Sequence, residues 1–195
     1  MTERAFSLGL AAAMIALSAC NQSTTNDAAG NAAVQTDQAA QAAGDKTIAS
    51  GIAAETRFAA AAKAAGLDAT LAGPGPYTVL IPDDAAFAKL PAGALDGLMK
   101  PEARAQLTGL LTYHILPGTV LAEDLGKAVD NAKGKAALMT MGGATLTATR
   151  DGGKLVLTDA AGTKAIVTRA DDKFSNGVVH HIDAVLMPEQ QPKVQ

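Results

Sequence analysis

The stretch NGVVHHIDAVLMP, Asn176–Pro188, holds two of the chain's three histidines side by side, with an aspartate two residues on. Read as a metal or catalytic cluster, it belongs to an enzyme. Read as a strand, it belongs to the core of a sheet. It opens on Asn-Gly, the strongest short hairpin signal, and continues in β-branched and apolar residues. Strand alternation puts Val178, His180, Ile182, Ala184 and Leu186 on one face. The other face carries Val179, His181, Asp183, Val185 and Met187. The adjacent histidines then point opposite ways and share no metal. His180 lies on the more apolar face, where a neutral imidazole needs one donor and one acceptor partner.

His181 and Asp183 share a face and would begin a divalent site. A catalytic zinc normally takes three protein ligands and keeps one open position. Only His114 remains among the histidines, and its spacing resembles no zinc motif. Asp183 is expected to cap a turn or accept backbone amides instead. The chain contains no GxSxG, HExxH, Walker loop or strand-following GxGxxG. Ser175, His180 and Asp183 form a Ser-His-Asp set only on paper, within one short hairpin and with no oxyanion donor. Asp83-Asp84 reads as a helix cap and Asp171-Asp172 as solvated charge beside a turn. No catalytic residue, cofactor or metal is expected.

Upstream, the pattern divides. ETRFAAAAKAAGL reads as a helix with Phe58, Ala61, Ala62 and Ala65 on one face and Gly66 as its stop. GPGP, Gly73–Pro76, is a rigid loop, and YTVLI, Tyr77–Ile81, is a strand. Asp83 is placed as the N-cap of DAAFAKL. Pro101 suits the first turn of PEARAQLTGLL, whose Ala103, Leu107, Leu110 and Leu111 follow helical spacing. After YHIL and Pro117-Gly118, the runs KAALMTM, ATLTATR, KLVLTD and AIVTRAD alternate between glycine-rich breaks, as in a β-meander. Helices first and strands later make the class α+β rather than alternating α/β.

The chain has 195 residues, a formal net charge of −3, no Trp and a single cysteine, Cys20. Nothing marks the basic stripe of a nucleic-acid binder, and no intrachain disulfide can form. Ala5–Leu17 is an apolar run too short for a membrane span of ~20 residues but fitting a secretory h-region. LSAC, Leu17–Cys20, resembles the lipobox of bacterial lipoproteins. That resemblance implies a signal peptide over residues 1–19 and lipid on Cys20, with Asn21 favouring the outer over the inner membrane. Asn21–Asp45 lacks aromatic residues, Leu and Ile, and reads as a flexible tether spanning on the order of 25–30 Å. Residues 20–45 are thus lipidated Cys and tether, 46–188 the domain, and 189–195 a tail.

Three motifs together, GPGPYTVLIPDDAAFAKLP, LTYHILPG and NGVVHHIDAVLMP, resemble the fasciclin-like adhesion domain family over nearly all of Lys46–Pro188. The resemblance implies a compact wedge of twisted β-sheets with helices packed at one side. It marks Tyr113, His114, Asn176, His180 and Asp183 as motif polar residues, and the Tyr113-His114 stretch as the source of a partner for His180. Where the family carries an aliphatic residue, this chain has His181, whose role the resemblance leaves open. Three functions follow. The first is non-catalytic adhesion to envelope, surface or matrix proteins or polysaccharide. The second is binding of a small apolar ligand, lipid or pigment, with Met99, Met139, Met141 and Met187 as adaptable lining. The third, an enzyme, has no motif behind it.

Overall fold

The computed structural model describes residues 46–52 and 56–188. The expected signal peptide, Cys20, the tether and the tail lie outside the described residues.

Two helices, Ile48–Gly51 (α1) and Arg57–Ala65 (α2), open the described chain. Each starts at a threonine whose hydroxyl accepts an amide of the first turn, Thr47 from Ser50 and Thr56 from Ala59, satisfying donors the helix leaves orphaned. α2 buries Phe58, Ala61, Ala62 and Ala65, the stripe that its spacing predicts, and Gly66 ends it at φ 79°. Next come Asp68–Ala72 (α3), Tyr77–Pro82 (β1), Asp84–Ala88 (α4) and Ala94–Leu98 (α5). A 3₁₀ turn, Pro101–Ala103, leads into Arg104–Tyr113 (α6), then Ile115–Pro117 (β2) and Ala122–Asn131 (α7). Lys135–Met139 (β3), Thr145–Asp151 (β4), Lys154–Thr158 (β5), Lys164–Phe174 (β6) and Gly177–Ile182 (β7) complete the order.

The class is α+β, and β3 to β7 form the expected antiparallel meander. The seven strands make one sheet in the order β2-β1-β7-β6-β5-β4-β3. β1 pairs with β7 in parallel, Val79 opposite Val179 and Leu80 opposite His180. A parallel pair covered on both faces explains why these two strands read as nearly continuous apolar runs. Beyond β3, the Met141 amide donates to the Ile115 carbonyl at 2.7 Å, which draws the two edge strands toward closure. The hairpin turn sits one residue earlier than expected. Phe174 pairs with Gly177, so its central residues are Ser175 and Asn176. Gly177 is required for another reason: at φ 152°, a Cβ there would lie 2.0 Å from the Tyr77 carbonyl oxygen.

Because β1 and β7 are buried on both sides, the sheet separates two apolar clusters. Val79, Ile81, Val179 and Val185 face Phe58, Leu107, Leu110 and Leu111 of the helices. Leu80, Ile182 and Leu186 face Leu125, Val129, Leu146 and Leu157 on the other side. Each fully buried Leu, Val or Phe among them contributes about 1.5–3 kcal/mol.

Helix α7 is the longest of the helices the patterning above leaves out, the others being the short α1, α3 and α5. Leu125 and Val129 are buried one turn apart, but the rest of its surface is polar and Gly126 interrupts it. Glu123 and Asp124 sit in its first turn, where negative charge complements the helix dipole.

Candidate functional site

His180 is 2% exposed. Its Nδ1 accepts the Asp171 amide at 3.1 Å and its Nε2 donates to the Val120 carbonyl at 2.8 Å. The ring is therefore the neutral Nε2–H tautomer. Its partners are not in the Tyr113-His114 stretch as expected. They come from a bulge of β6 and the loop before α7, because β7 lies between them. His114, 1% exposed, uses the other tautomer. Its Nδ1 donates to the Leu110 carbonyl at 2.8 Å, and its Nε2 accepts the Leu186 amide at 3.1 Å. Burial pushes the His114 pKa down to about 4, against the raising effect of the Leu110 carbonyl. Burial also lowers that of His180, against the Val120 carbonyl and the Asp171 and Asp172 carboxylates.

Asn176 is 8% exposed and tied at every polar atom of its side chain. Oδ1 accepts the Ile48 amide at 2.8 Å, and Nδ2 donates to the Leu71 and Gly73 carbonyls, both at 2.8 Å. One turn residue thus fastens α1 and the end of α3 to the β6–β7 hairpin. Asp183, just past β7, accepts the Ile166 amide at 2.7 Å, the backbone role expected of it. It makes no pair with His181.

Tyr113 is 1% exposed, and its hydroxyl is buried with no hydrogen-bond partner. Burial raises its pKa and the Asp159 carboxylate adds to the rise, while the nearby Ala160 backbone, outside good hydrogen-bond geometry, lowers it. Removing an unpaired buried hydroxyl relieves a desolvation penalty. Tyr113→Phe is expected to leave stability unchanged or raise it by up to ~1 kcal/mol. Urea unfolding checks this, and a clear loss would show that the Ala160 backbone is a working hydrogen-bond partner.

His181 is half-buried, in an ionic cluster. Its Nδ1 is 3.4 Å from Asp83 and its Nε2 is 3.2 Å from Asp172, with the Arg169 guanidinium against the same Nε2. Arg169 and Asp172 also form an ion pair at 2.6 Å. These groups are partly exposed, and such pairs contribute ~0–1 kcal/mol. His181→Val should therefore change stability by less than ~1 kcal/mol. His180→Ala leaves two backbone groups unpaired in the core and should cost ~2–4 kcal/mol. Thermal melts of both variants test the contrast, and equal losses would reverse the assignment of the two faces.

Two aspartate pairs behave differently from their expected roles. Asp83 occupies the cap position of α4, but its side chain makes no cap bond. It accepts Thr168 Oγ1 at 3.1 Å instead, drawn there by β6. Asp84 accepts the Arg57 amide at the start of α2. Asp171 is not free solvated charge. It is a bulge residue of β6 at φ 62°, and its Oδ1 accepts the Ala122 amide at 2.9 Å. It therefore caps α7 from a distant strand while its own amide holds His180.

Three supports escaped the sequence reading. Thr78 Oγ1 donates to the Gly118 carbonyl and accepts the Val120 amide, both at 2.8 Å. Asp159 accepts the Thr163 amide at 2.7 Å and the Met187 amide at 2.9 Å. Asp171 is the third. An aspartate three residues before Gly162 signals a turn, but no local pattern shows that its second oxygen reaches Met187.

Among the described residues, no group of three or more His, Cys, Asp or Glu is placed to hold a metal. The Ser175-His180-Asp183 set is not assembled, since both His180 nitrogens and Asp183 bond to backbone. An apolar cavity bounded by Leu80, Leu125, Leu138, Leu157, Val167 and His180 measures about 10 Å³, room for about one water. The four methionines do not line it: Met99, Met139 and Met141 are exposed, and Met187 packs against the helix-side cluster.

A mixed sheet between two apolar clusters, with most of its buried polar side chains bonded to backbone, defines an α+β domain. The fasciclin domain model matches residues 54–188, and the chain belongs to the fasciclin domain family. It is 35% identical over 184 residues to protein sll1483 of Synechocystis sp., covering 92% of this chain and 91% of that one. Similarity to transforming growth factor-beta-induced protein ig-h3 of Sus scrofa is 36% over 131 residues, 67% of this chain and 17% of that protein. A FAS1 domain pair from the insect cell adhesion molecule fasciclin I shares the fold, with TM-score 0.52 and 21% identity over 67% of this chain and 44% of that one.

Proposed function

We propose that the protein is a non-catalytic adhesion or interaction module of the cell envelope. Lipid on Cys20 holds it to the membrane, the outer membrane rather than the inner. Residues 21–45 serve as its tether. The domain meets surface or matrix proteins or polysaccharide. The observation that carries this reading is the use made of the motif side chains. Asn176, His114, His180 and Asp183 all bond to backbone across long sequence separations, so the motif polar groups stiffen a platform. Family membership and the lipobox resemblance point the same way.

The test compares cells with the full chain, cells without it and cells carrying Cys20→Ala. Aggregation and surface attachment should fall on deletion. Cys20→Ala should release the protein from membranes and abolish labelling by radioactive palmitate. Unchanged attachment on deletion contradicts the adhesion reading.

A further inference from the structure

One open cleft remains unexplained by these backbone bonds. It measures about 430 Å³ and lies between the Gly73–Pro76 loop and the β6–β7 hairpin, with Lys173, Phe174, Ser175 and Thr119 on its walls. That volume is within the ordinary range of small-molecule sites, ~300–1,000 Å³. Its frame is stiff. Pro74 and Pro76 fix their φ angles. Gly75 packs so closely on the hairpin that a Cβ would lie 2.0 Å from the Asn176 carbonyl oxygen. A preformed wall loses little freedom when a ligand arrives.

The polar side chains around this cleft fall into two sets. Asn176 is fully engaged with backbone, and the Thr47 hydroxyl with the amide and hydroxyl of Ser50. The Lys173 ammonium and the Ser175 and Thr119 hydroxyls have no hydrogen-bond or ion-pair partner among the described residues. Thr119 is the telling one. It is only 8% exposed, yet the Tyr113 hydroxyl alone among the described residues is a buried side-chain polar atom without a partner. The Thr119 hydroxyl is therefore not sealed in the core and opens on the cleft. Among the described residues no carboxylate lines the cleft, and Lys173 is its single charge. Phe174 adds aromatic surface backed by the helix-side cluster.

One cation, two free hydroxyls and a ring in a stiff cleft match a sugar unit bearing a carboxylate. We propose that this cleft binds a uronate residue of an acidic polysaccharide. The carboxylate meets Lys173, the sugar hydroxyls meet Thr119 and Ser175, and the C–H face rests on Phe174. The inference deepens the adhesion reading above and rests on its polysaccharide branch.

Calorimetric titration of the full chain with an α-1,4-linked galacturonate tetrasaccharide tests it, with maltotetraose and acetate as comparisons. The acidic tetrasaccharide should bind, more weakly at high salt because an exposed charge is screened. Lys173→Gln should weaken it about fivefold and leave the thermal melt unchanged. Thr119→Val should weaken the acidic and neutral saccharides alike. No binding, equal binding to wild type and Lys173→Gln, or acetate binding as strongly as the tetrasaccharide overturns the site. A blank titration with cell attachment intact overturns the site and leaves the adhesion reading standing. A positive titration with attachment unaffected by deletion does the reverse.

Discussion

Asn176→Ala is expected to destabilise the domain by about 3–5 kcal/mol, a large part of the ~5–15 kcal/mol a domain of this kind has. The substitution leaves the Ile48 amide and the Leu71 and Gly73 carbonyls without their partner. Each unpaired buried group costs about 1–3 kcal/mol, and the exposed side of the hairpin lets water recover part of it. Asn176→Asp separates the two roles. A carboxylate still accepts from Ile48 but faces the two carbonyls with no donor, so it should be destabilised nearly as much. Urea unfolding of both variants measures this. A loss below about 1 kcal/mol in either would mean that the hairpin is held elsewhere.

The second large effect is on acid stability. The His114 pKa is depressed in the fold to about 4 from an ordinary 6.5. Between those values the unfolded chain binds more protons than the folded one, so stability falls as pH drops through that window. The contribution of neutral His114 is fully present above pH 6.5 and gone below about 4, a difference of roughly 3 kcal/mol. His180, lowered by burial too, adds a loss of the same sign. His114→Asn keeps a donor for the Leu110 carbonyl without a titrating ring. Its unfolding free energy should therefore lose about one proton's worth of slope, roughly 1.4 kcal/mol per pH unit, across the window. A wild-type stability that is flat from pH 6.5 to 4 contradicts the buried neutral ring.

The fold was largely legible because its strongest signals are local. The alternation after Gly177 separates His180 from His181, and the structure puts Leu80 and Ile182 on one side with Ile81 and Val179 on the other. α2 was readable from four buried positions at helical spacing. What escaped is non-local. A cap offered by Asp83 to its own helix loses to Thr168 on a neighbouring strand, and no window of sequence contains both. The partners of His180 depend on a bulge in β6 that turns Asp171 to φ 62°. Nothing in AIVTRADDKF announces that extra residue. α7 hid because its buried stripe is narrow and its remaining faces are charged. At the cleft, the sequence shows a Gly-Pro loop and a hairpin, but their approach across a hundred residues is visible only in the fold.

The central claim is that the motif histidines hold the fold as fixed neutral tautomers. The direct measurement is a long-range ¹H–¹⁵N spectrum of the imidazole rings at neutral pH. His114 should carry its proton on Nδ1 and His180 on Nε2, each unchanged until the protein unfolds in acid. Either ring titrating near its ordinary pKa in the folded protein, or both sharing one tautomer, would contradict the account.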